Sequence, residues 1–330
     1  MNRKSIFVFI LLFSIGLVVG LRLNVGKKNC FDSPGFKYIN KFLSCDKVAV
    51  INKAEYTVFS SEVKKYINSE VKDGKITRMG VYFRDLASGP TVSINGDEKF
   101  APASLLKVPV AIAYFRAEEE MNNKGNTESI LDRHIAYKGE LRFDYNSQFY
   151  KPKETLAPGV SYSIRDLLFR MLAYSDNGSY EGLMTYLAKL FPTRDYLLET
   201  FGDLGIIDPK SGLDQTLSPR TLSADFRLLY NASYLSKEHS EELLDMLVKS
   251  EFKLGLVAGI PKNVEVAHKF GERQLGSNGQ WEFHDCGIVY YPGNPYLICI
   301  MTQGDEPAQI LGVLSRVSEM FYKEFDSRKL

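Results

Sequence analysis

Two polar residues interrupt an otherwise apolar stretch, Ser104 and Lys107 within FAPASLLKVPVAIAYFRAEEE at residues 100–120. They are three positions apart, so in a helix they share a face one turn from each other. A buried lysine loses its proton more easily than an exposed one, and it can then act as a base for a neighbouring hydroxyl. The free N–H groups at a helix start suit a developing oxyanion. Ser104 is therefore a candidate nucleophile. The alternative is a capping serine followed by a lysine that reaches solvent.

The pattern of apolar residues predicts the elements that must position this pair. Helical spacing occupies residues 55–72, and two strand-like runs near residues 79–83 and 91–94 lead into the stretch. A block of helices follows over residues 104–250, with mostly loops expected at 122–162 and 191–217. Within the block, helices are predicted at 164–174, 180–190, 219–230 and 236–250. Strands are predicted at 264–269, 283–291 and 295–303, and a closing helix at 306–325.

Strands at both ends of the chain can join in one sheet. The predicted fold class is therefore α/β in the α+β sense. An antiparallel five-stranded sheet is flanked by the terminal helices, and an all-helical lobe lies beside it.

Two further polar clusters follow the Ser104 stretch in order. SDN, at residues 175–177, ends a predicted helix, and HKFG, at residues 268–271, lies on a predicted strand. Together with SLLK at residues 104–107, they resemble the three-part signature of the class A β-lactamases, a group of the penicillin-recognising serine hydrolases. The resemblance covers roughly residues 55–325 and implies the β-lactamase and transpeptidase fold.

The resemblance also implies a role for each matching residue. Ser104 is expected to be the acylated nucleophile, Lys107 to accept or relay its proton, and Ser175 to pass a proton to the leaving nitrogen. The backbone N–H groups of Ser104 and Glu272 are expected to form the oxyanion hole. The implied substrate-binding residues are Asn177, Lys269 and Gly271. Lys269 is expected to contact a substrate carboxylate, whereas His268 before it is predicted to face away from the site and to serve packing.

Two departures from the family pattern bear on the chemistry. Phe270 stands where the family has Thr or Ser, so a hydroxyl that would bind a substrate carboxylate is missing. Between Phe201 and Arg220 the chain has no Glu to activate water for deacylation. The acids in that loop are more typical of turns, and they are Asp203, Asp208 and Asp214.

These features predict an exported serine hydrolase that forms an acyl-enzyme on Ser104 with a β-lactam or a D-amino-acid amide and deacylates slowly. The alternative left open is a catalytically inactive binding or scaffold protein of this fold at the cell envelope. Phe270 and the missing Glu favour that alternative, whereas the two lysines and the polar residues around them favour the enzyme.

The N-terminal segment predicts export. Residues 1–25 begin with Arg3 and Lys4 and continue with an uncharged apolar run to Gly20. This pattern is typical of a signal peptide or an N-terminal membrane anchor, and the poor cleavage site favours the anchor. Residues 26–52 are predicted to be a juxtamembrane linker and 53–330 the hydrolase domain. The expected location is the outer face of the cytoplasmic membrane, or outside the cell if the segment is cleaved.

Composition limits the possible partners. The 41 basic and 40 acidic side chains leave a net charge of +1, so no nucleic-acid partner is expected. The expected partners are a small β-lactam or peptidoglycan-like peptide, and the membrane through the N-terminal segment. The four cysteines and four histidines lack the spacing of a metal site, so neither a metal nor another cofactor is expected. Cys30 and Cys45 are equally compatible with a disulfide and with free thiols, and Cys286 and Cys299 are predicted to be core residues.

Overall fold

The structure is a computed structural model, and it describes residues 35–41, 56–86, 89–125, 128–139, 148–207, 216–276 and 279–328 of the chain. The chain separates into two units, residues 1–36 with 41–47, and residues 37–40 with 48–330. The second unit holds the helices and strands of the described ranges. Within these ranges, none of the helices combines the length and apolar character needed to span a bilayer. The predicted signal or anchor at 1–25 and the pair Cys30 and Cys45 lie outside the described residues.

A five-stranded antiparallel sheet forms the centre of this unit. Its strands are β1 (Arg78–Asp85), β2 (Thr91–Ile94), β5 (Val266–Leu275), β6 (Gln280–Val289) and β7 (Tyr296–Gly304). They are arranged in the order β2-β1-β7-β6-β5. Because β7 pairs with both β1 and β6, strands from the two ends of the chain meet in the middle of the sheet. The predicted sheet is thereby confirmed.

The terminal helices, α1 (Tyr56–Lys72) and α8 (Pro307–Ser327), pack together against the sheet. Phe83 of β1 stacks on Phe321 of α8, with ring centroids 4.9 Å apart. Phe59 of α1 meets the same ring edge-on at 4.9 Å. All three rings are at most 5% exposed, so this layer forms a large part of the hydrophobic core.

The helical lobe is built around α2 (Lys107–Asn123), whose residues from Lys107 to Phe115 are all buried. A helix that is buried on nearly every side is a central one, as the apolar sequence indicates. The surrounding helices are α3 (Ile164–Ala173), α4 (Asn177–Leu190), α5 (Tyr196–Asp203), α6 (Pro219–Tyr230) and α7 (Lys237–Val248). Five of the helices begin at a side chain that accepts a backbone N–H of the first turn, and these caps are Ser163, Asp176, Asp195, Ser218 and Ser236.

The structure corrects several predicted boundaries. The region expected to be loop at 122–162 contains two short strands that pair with each other, β3 (His134–Ala136) and β4 (Ser161–Ser163). Three residues are too few to show the alternation by which strands are recognised. The loop expected at 191–217 contains α5, and α4 begins at Asn177 rather than at Tyr180. The strand expected to end at residue 269 continues to Leu275, through polar residues that line the cavity described below.

Candidate active site

Ser104 lies in a 3-10 turn, Ala103–Leu106, and Lys107 is the first residue of the α-helix that follows. Ala103 has a φ of 49°, in the left-handed region. A residue with a Cβ adopts this conformation at a cost of about 1–2 kcal/mol. Pro109 lies in the first turn of α2, where its missing N–H removes no helical hydrogen bond. The backbone changes from 3-10 to α geometry between Ser104 and Lys107.

Two side chains of β6 hold the backbone just before this turn. Glu282 accepts the N–H of Ala101 at 3.1 Å, and Nε2 of His284 donates to the carbonyl of Ala101 at 2.9 Å. Arg78 in turn donates to Glu282 at 3.1 Å. Burial lowers the pKa of His284 to about 4, so the ring is neutral and its Nδ1 can accept the N–H of Thr302. The sheet therefore fixes the backbone at Ala101, shortly before Ser104.

These positioning residues were not predicted. The available signal was the pair of polar side chains at 282 and 284, which are two residues apart on a strand and therefore share one face.

Lys107 is buried, and its Nζ lies within hydrogen-bond distance of three oxygen atoms. Its Nζ donates to the carbonyl of Ser175 at 2.6 Å, to the Ser175 hydroxyl at 3.2 Å and to Oδ1 of Asn177 at 2.7 Å. Burial lowers the pKa of Lys107 to about 7, although the carboxylates of Asp176 and Glu272 favour its charged form. Near pH 7 the amine is therefore neutral for a substantial part of the time and can accept a proton.

Ser175 connects Lys107 to the second predicted lysine. Nζ of Lys269 donates to the Ser175 hydroxyl at 2.9 Å and to the carbonyl of Phe270 at 2.9 Å. Burial, together with the nearby Lys107 ammonium, lowers the pKa of Lys269 well below its usual value. Ser175 itself has a φ of 57°, again in the left-handed region. The two amines and the hydroxyl form a continuous chain along which a proton can pass.

A cavity of about 580 Å³ opens beside Ser104. Among the predicted site residues, Ser104, Lys107, Asn177 and Glu272 line it. Ser175, Lys269 and Gly271 are buried and are not among the residues that line it. Further lining side chains that were not predicted come from β5, β6 and the approach to β4, and they include Gln148, Arg273, Gln274 and Trp281.

Gly271 brings β5 close to the nucleophile turn. A Cβ at this position would lie 3.0 Å from the carbonyl oxygen of Pro102 and 3.3 Å from the backbone nitrogen of Leu105. A side chain there would push the strand and the turn apart. Gly271 is thus a spacing residue in this structure. The close approach suits an oxyanion hole formed by Ser104 and the next residue of β5, Glu272, which stays a prediction.

The side chain of Glu272 is a site group that the sequence did not indicate. Both carboxyl oxygens accept the N–H of Tyr150, at 3.0 Å and 3.1 Å. Burial raises the pKa of Glu272 to about 7, against the effects of the Tyr150 N–H and the two lysines. A carboxyl group that changes its charge near neutral pH therefore faces the cavity.

Phe270 belongs to an aromatic cluster instead of the cavity lining. Its ring stacks on Phe252 at 4.0 Å and meets Tyr150 edge-on at 5.1 Å. The side chain is 2% exposed, and Nζ of Lys269 lies 4.1 Å from its ring centroid. The position at which the family has a hydroxyl is thus filled by core packing, which also covers Lys269.

The loop acids bring no carboxylate into the described part of the site. Asp203 is exposed and accepts a hydrogen bond from the hydroxyl of Tyr234 at 3.0 Å. Asp208 and Asp214 lie outside the described residues. His268 is fully buried and bonds Asp285 through Nδ1 at 2.8 Å, in agreement with its predicted packing role.

Cys286 and Cys299 face each other across β6 and β7 and form a disulfide. Their predicted burial is confirmed, since both are 0% exposed. Their bond was not predicted, because the register that places them opposite each other depends on the whole sheet.

The sequence profile of the β-lactamase enzyme family matches residues 62–325. The chain belongs to this family. Family membership and the Ser104 site identify a serine hydrolase, and the resemblance to the class A group is confirmed.

Relatives with similar sequences are also named β-lactamases. β-Lactamase AST-1 of Nocardia asteroides is 25% identical over 275 residues, which cover 80% of this chain and 83% of the relative. β-Lactamase 3 of Bacillus cereus is 24% identical over 243 residues, covering 69% of this chain and 70% of the relative.

Solved structures share the fold. PBP-A, a variant of which was solved as an acyl-enzyme complex with penicillin G, superposes with a TM-score of 0.65 and 23% identity. This match covers 82% of the present chain and 97% of PBP-A. A class A β-lactamase from Mycobacterium abscessus gives a TM-score of 0.63 at 22% identity, covering 80% and 99% of the two chains.

Proposed function

We propose that this member of the β-lactamase family is an exported serine hydrolase that is acylated on Ser104 by β-lactams or D-amino-acid amides and is deacylated slowly. The observation that carries the proposal is the buried chain Lys107–Ser175–Lys269 behind a cavity that Ser104 lines. It supplies a base and a proton path at the same place.

The geometry supports the following acylation sequence. The neutral amine of Lys107 takes the proton of Ser104 as its Oγ forms a bond to the substrate carbonyl carbon. The tetrahedral oxyanion is stabilised by backbone N–H groups, and the carbon–nitrogen bond then breaks. The leaving nitrogen takes a proton from the Ser175 hydroxyl. Ser175 is reprotonated through its hydrogen bond with Lys107, which thereby returns the proton of Ser104.

Slow deacylation is supported by the composition of the loop that would activate water. The loop between Phe201 and Arg220 has no Glu, and Asp203 is turned to solvent. A PBP-A variant was solved as an acyl-enzyme complex with penicillin G. We therefore expect this protein to behave as a penicillin-binding protein more than as an efficient β-lactamase.

Export is supported by the basic and apolar residues 1–25 and by the disulfide between Cys286 and Cys299. Disulfides persist in oxidising compartments and are rare in the cytosol. We propose that the hydrolase domain lies outside the cytoplasmic membrane, held there by an uncleaved N-terminal segment, where peptidoglycan-like peptides are within reach.

The test is time-resolved intact mass spectrometry of the full chain in detergent with a fluorescent penicillin. We expect one adduct on the wild type that persists long after labelling is complete, and none on Ser104→Ala. Ser315→Ala is a matched control, since Ser315 is a partly exposed serine on α8 whose hydroxyl donates to the carbonyl of Gly312 in the same helix. A transient adduct with released product indicates hydrolysis, and absence of any adduct supports the inactive scaffold.

A further inference from the structure

We propose that the site selects substrates whose leaving group carries no free carboxylate. The inference rests on the proposed acyl-enzyme at Ser104. The substrates are then amides or esters with a neutral or amine-bearing leaving group, such as an internal amide of a peptide. A chain-terminal amino acid with its carboxylate is a poor leaving group here.

The orientation of the substrate follows from the proton path. A leaving nitrogen needs a proton, and Ser175 is the hydroxyl that contacts both buried lysines. The leaving group therefore lies toward the Lys269 end of β5. The acyl part extends the other way along the strand, past Glu272 toward Arg273 and Gln274, which line the far part of the cavity.

Lys269, at the leaving-group end, is not available to a carboxylate. The residue is 0% exposed and does not line the cavity. Its Nζ already donates to Ser175 and to the carbonyl of Phe270, and the Phe270 ring covers it at 4.1 Å. A carboxylate placed here would have to displace the aromatic ring or lose its hydration without a partner.

The neighbouring side chains reinforce this exclusion. Phe270 provides no hydroxyl, and its stacking on Phe252 and Tyr150 leaves the ring little room to move. The group that does face the cavity at this point of the strand is the Glu272 carboxyl. A second carboxylate beside it is repelled, because like charges placed side by side oppose binding.

Arg273 is an exposed cation at the cavity that could attract an anionic substrate, but it lies beyond Glu272 on the acyl side. Its side chain is exposed at the cavity and forms no ion pair with another residue of the described ranges. A carboxylate in the acyl part of the substrate is therefore compatible with this site, whereas one in the leaving group is not.

Penicillin G and its methyl ester form a matched pair for the test, because they differ only in the carboxylate next to the leaving nitrogen. The full chain in detergent is mixed with both compounds at equal concentration, and the two adducts are separated by mass. Ring opening leaves each compound attached as one acyl ester on Ser104 with nothing released. We expect the ester adduct to form at least about tenfold faster, corresponding to about 1.4 kcal/mol or more.

Glu272→Gln keeps the shape of the side chain and removes its charge. We expect this variant to shift the ratio of the two adducts toward the acid by about threefold or more. Glu251→Gln is the matched control, since Glu251 pairs with Lys153 and does not line the cavity. It should leave the ratio unchanged.

Each outcome decides one point. Equal labelling, or faster labelling by the acid, overturns the inference and leaves the acyl-enzyme proposal intact. No adduct from either compound refutes the acyl-enzyme itself, and with it the inference. A strong preference for the ester that Glu272→Gln reduces supports both.

Discussion

The pH dependence of acylation tests the role of Lys107. Burial lowers its pKa from 10.5 to about 7. An ordinary lysine is neutral in only about one molecule in 3000 at pH 7, whereas a pKa of about 7 makes roughly half of the molecules competent. If the neutral amine is the base, the acylation rate should rise about tenfold per pH unit below pH 7 and level off above it.

Glu272 complicates the interpretation, because its own pKa is raised by burial to about 7. The variant Glu272→Gln separates the two groups. The Glu272 carboxylate favours the charged form of Lys107, so removing that charge should lower the pKa of the lysine further. The midpoint of the profile should therefore move to lower pH. If Glu272 were the titrating base, the pH-dependent limb would disappear instead.

The assay is the second-order rate of adduct formation on the full chain between pH 5.5 and 9, followed by quenched intact mass spectrometry. Lys107→Met should abolish the reaction. Lys249→Met is the matched control, since Lys249 is an exposed lysine that pairs with Asp245; its profile should equal that of the wild type. A flat wild-type profile across this range, or a midpoint that rises in Glu272→Gln, would refute the assignment of Lys107 as base.

Three further predictions concern position and stability. Gly271→Ala should slow acylation at least about tenfold, because its Cβ presses on Pro102 at 3.0 Å, and an unchanged rate would contradict that spacing role. Glu282→Ala leaves the N–H of Ala101 without its acceptor and should lower the free energy of unfolding by about 1–3 kcal/mol in a urea titration. An unchanged free energy of unfolding would argue against this contact. Because the folded-state pKa of Lys107 is depressed, the unfolded chain binds more protons between about pH 7 and 10.5. Wild-type stability relative to Lys107→Met should therefore rise across this window in urea titrations, and a fall would contradict the buried neutral amine.

The parts of the fold that could be predicted have long, regular patterns. Helix α8 and the strands of the main sheet follow from apolar periodicity. The order of SLLK, SDN and HKFG indicates three segments that the structure joins through hydrogen bonds of Lys107 and Lys269 to Ser175. Helix caps have a local signal as well, since Ser163 and Ser218 each directly precede a predicted helix and accept a backbone N–H of its first turn. The three-residue strands β3 and β4 were missed because they have no period of their own.

The unpredicted parts of the site depend on contacts between distant segments. The Glu272 side chain becomes a site group because the N–H of Tyr150, 122 residues earlier, holds it. The Phe270 substitution was visible, but its consequence needed Phe252 and Tyr150 around the ring. The family resemblance also implied that Lys269 contacts a substrate carboxylate, whereas the structure buries this lysine against the Phe270 ring.

The energetics of the site argue against the inactive scaffold. Holding Lys107 neutral at pH 7 costs about 5 kcal/mol relative to the unfolded chain, since its pKa falls from 10.5 to about 7. The left-handed backbone at Ala103 and Ser175 costs about 1–2 kcal/mol at each residue. A protein that only binds gains nothing from these features, and an apolar side chain at 107 with relaxed turns would stabilise it. Both buried lysines, and two of the four non-glycine residues with positive φ in the described ranges, lie at this site, and catalysis at Ser104 accounts for them better than binding alone.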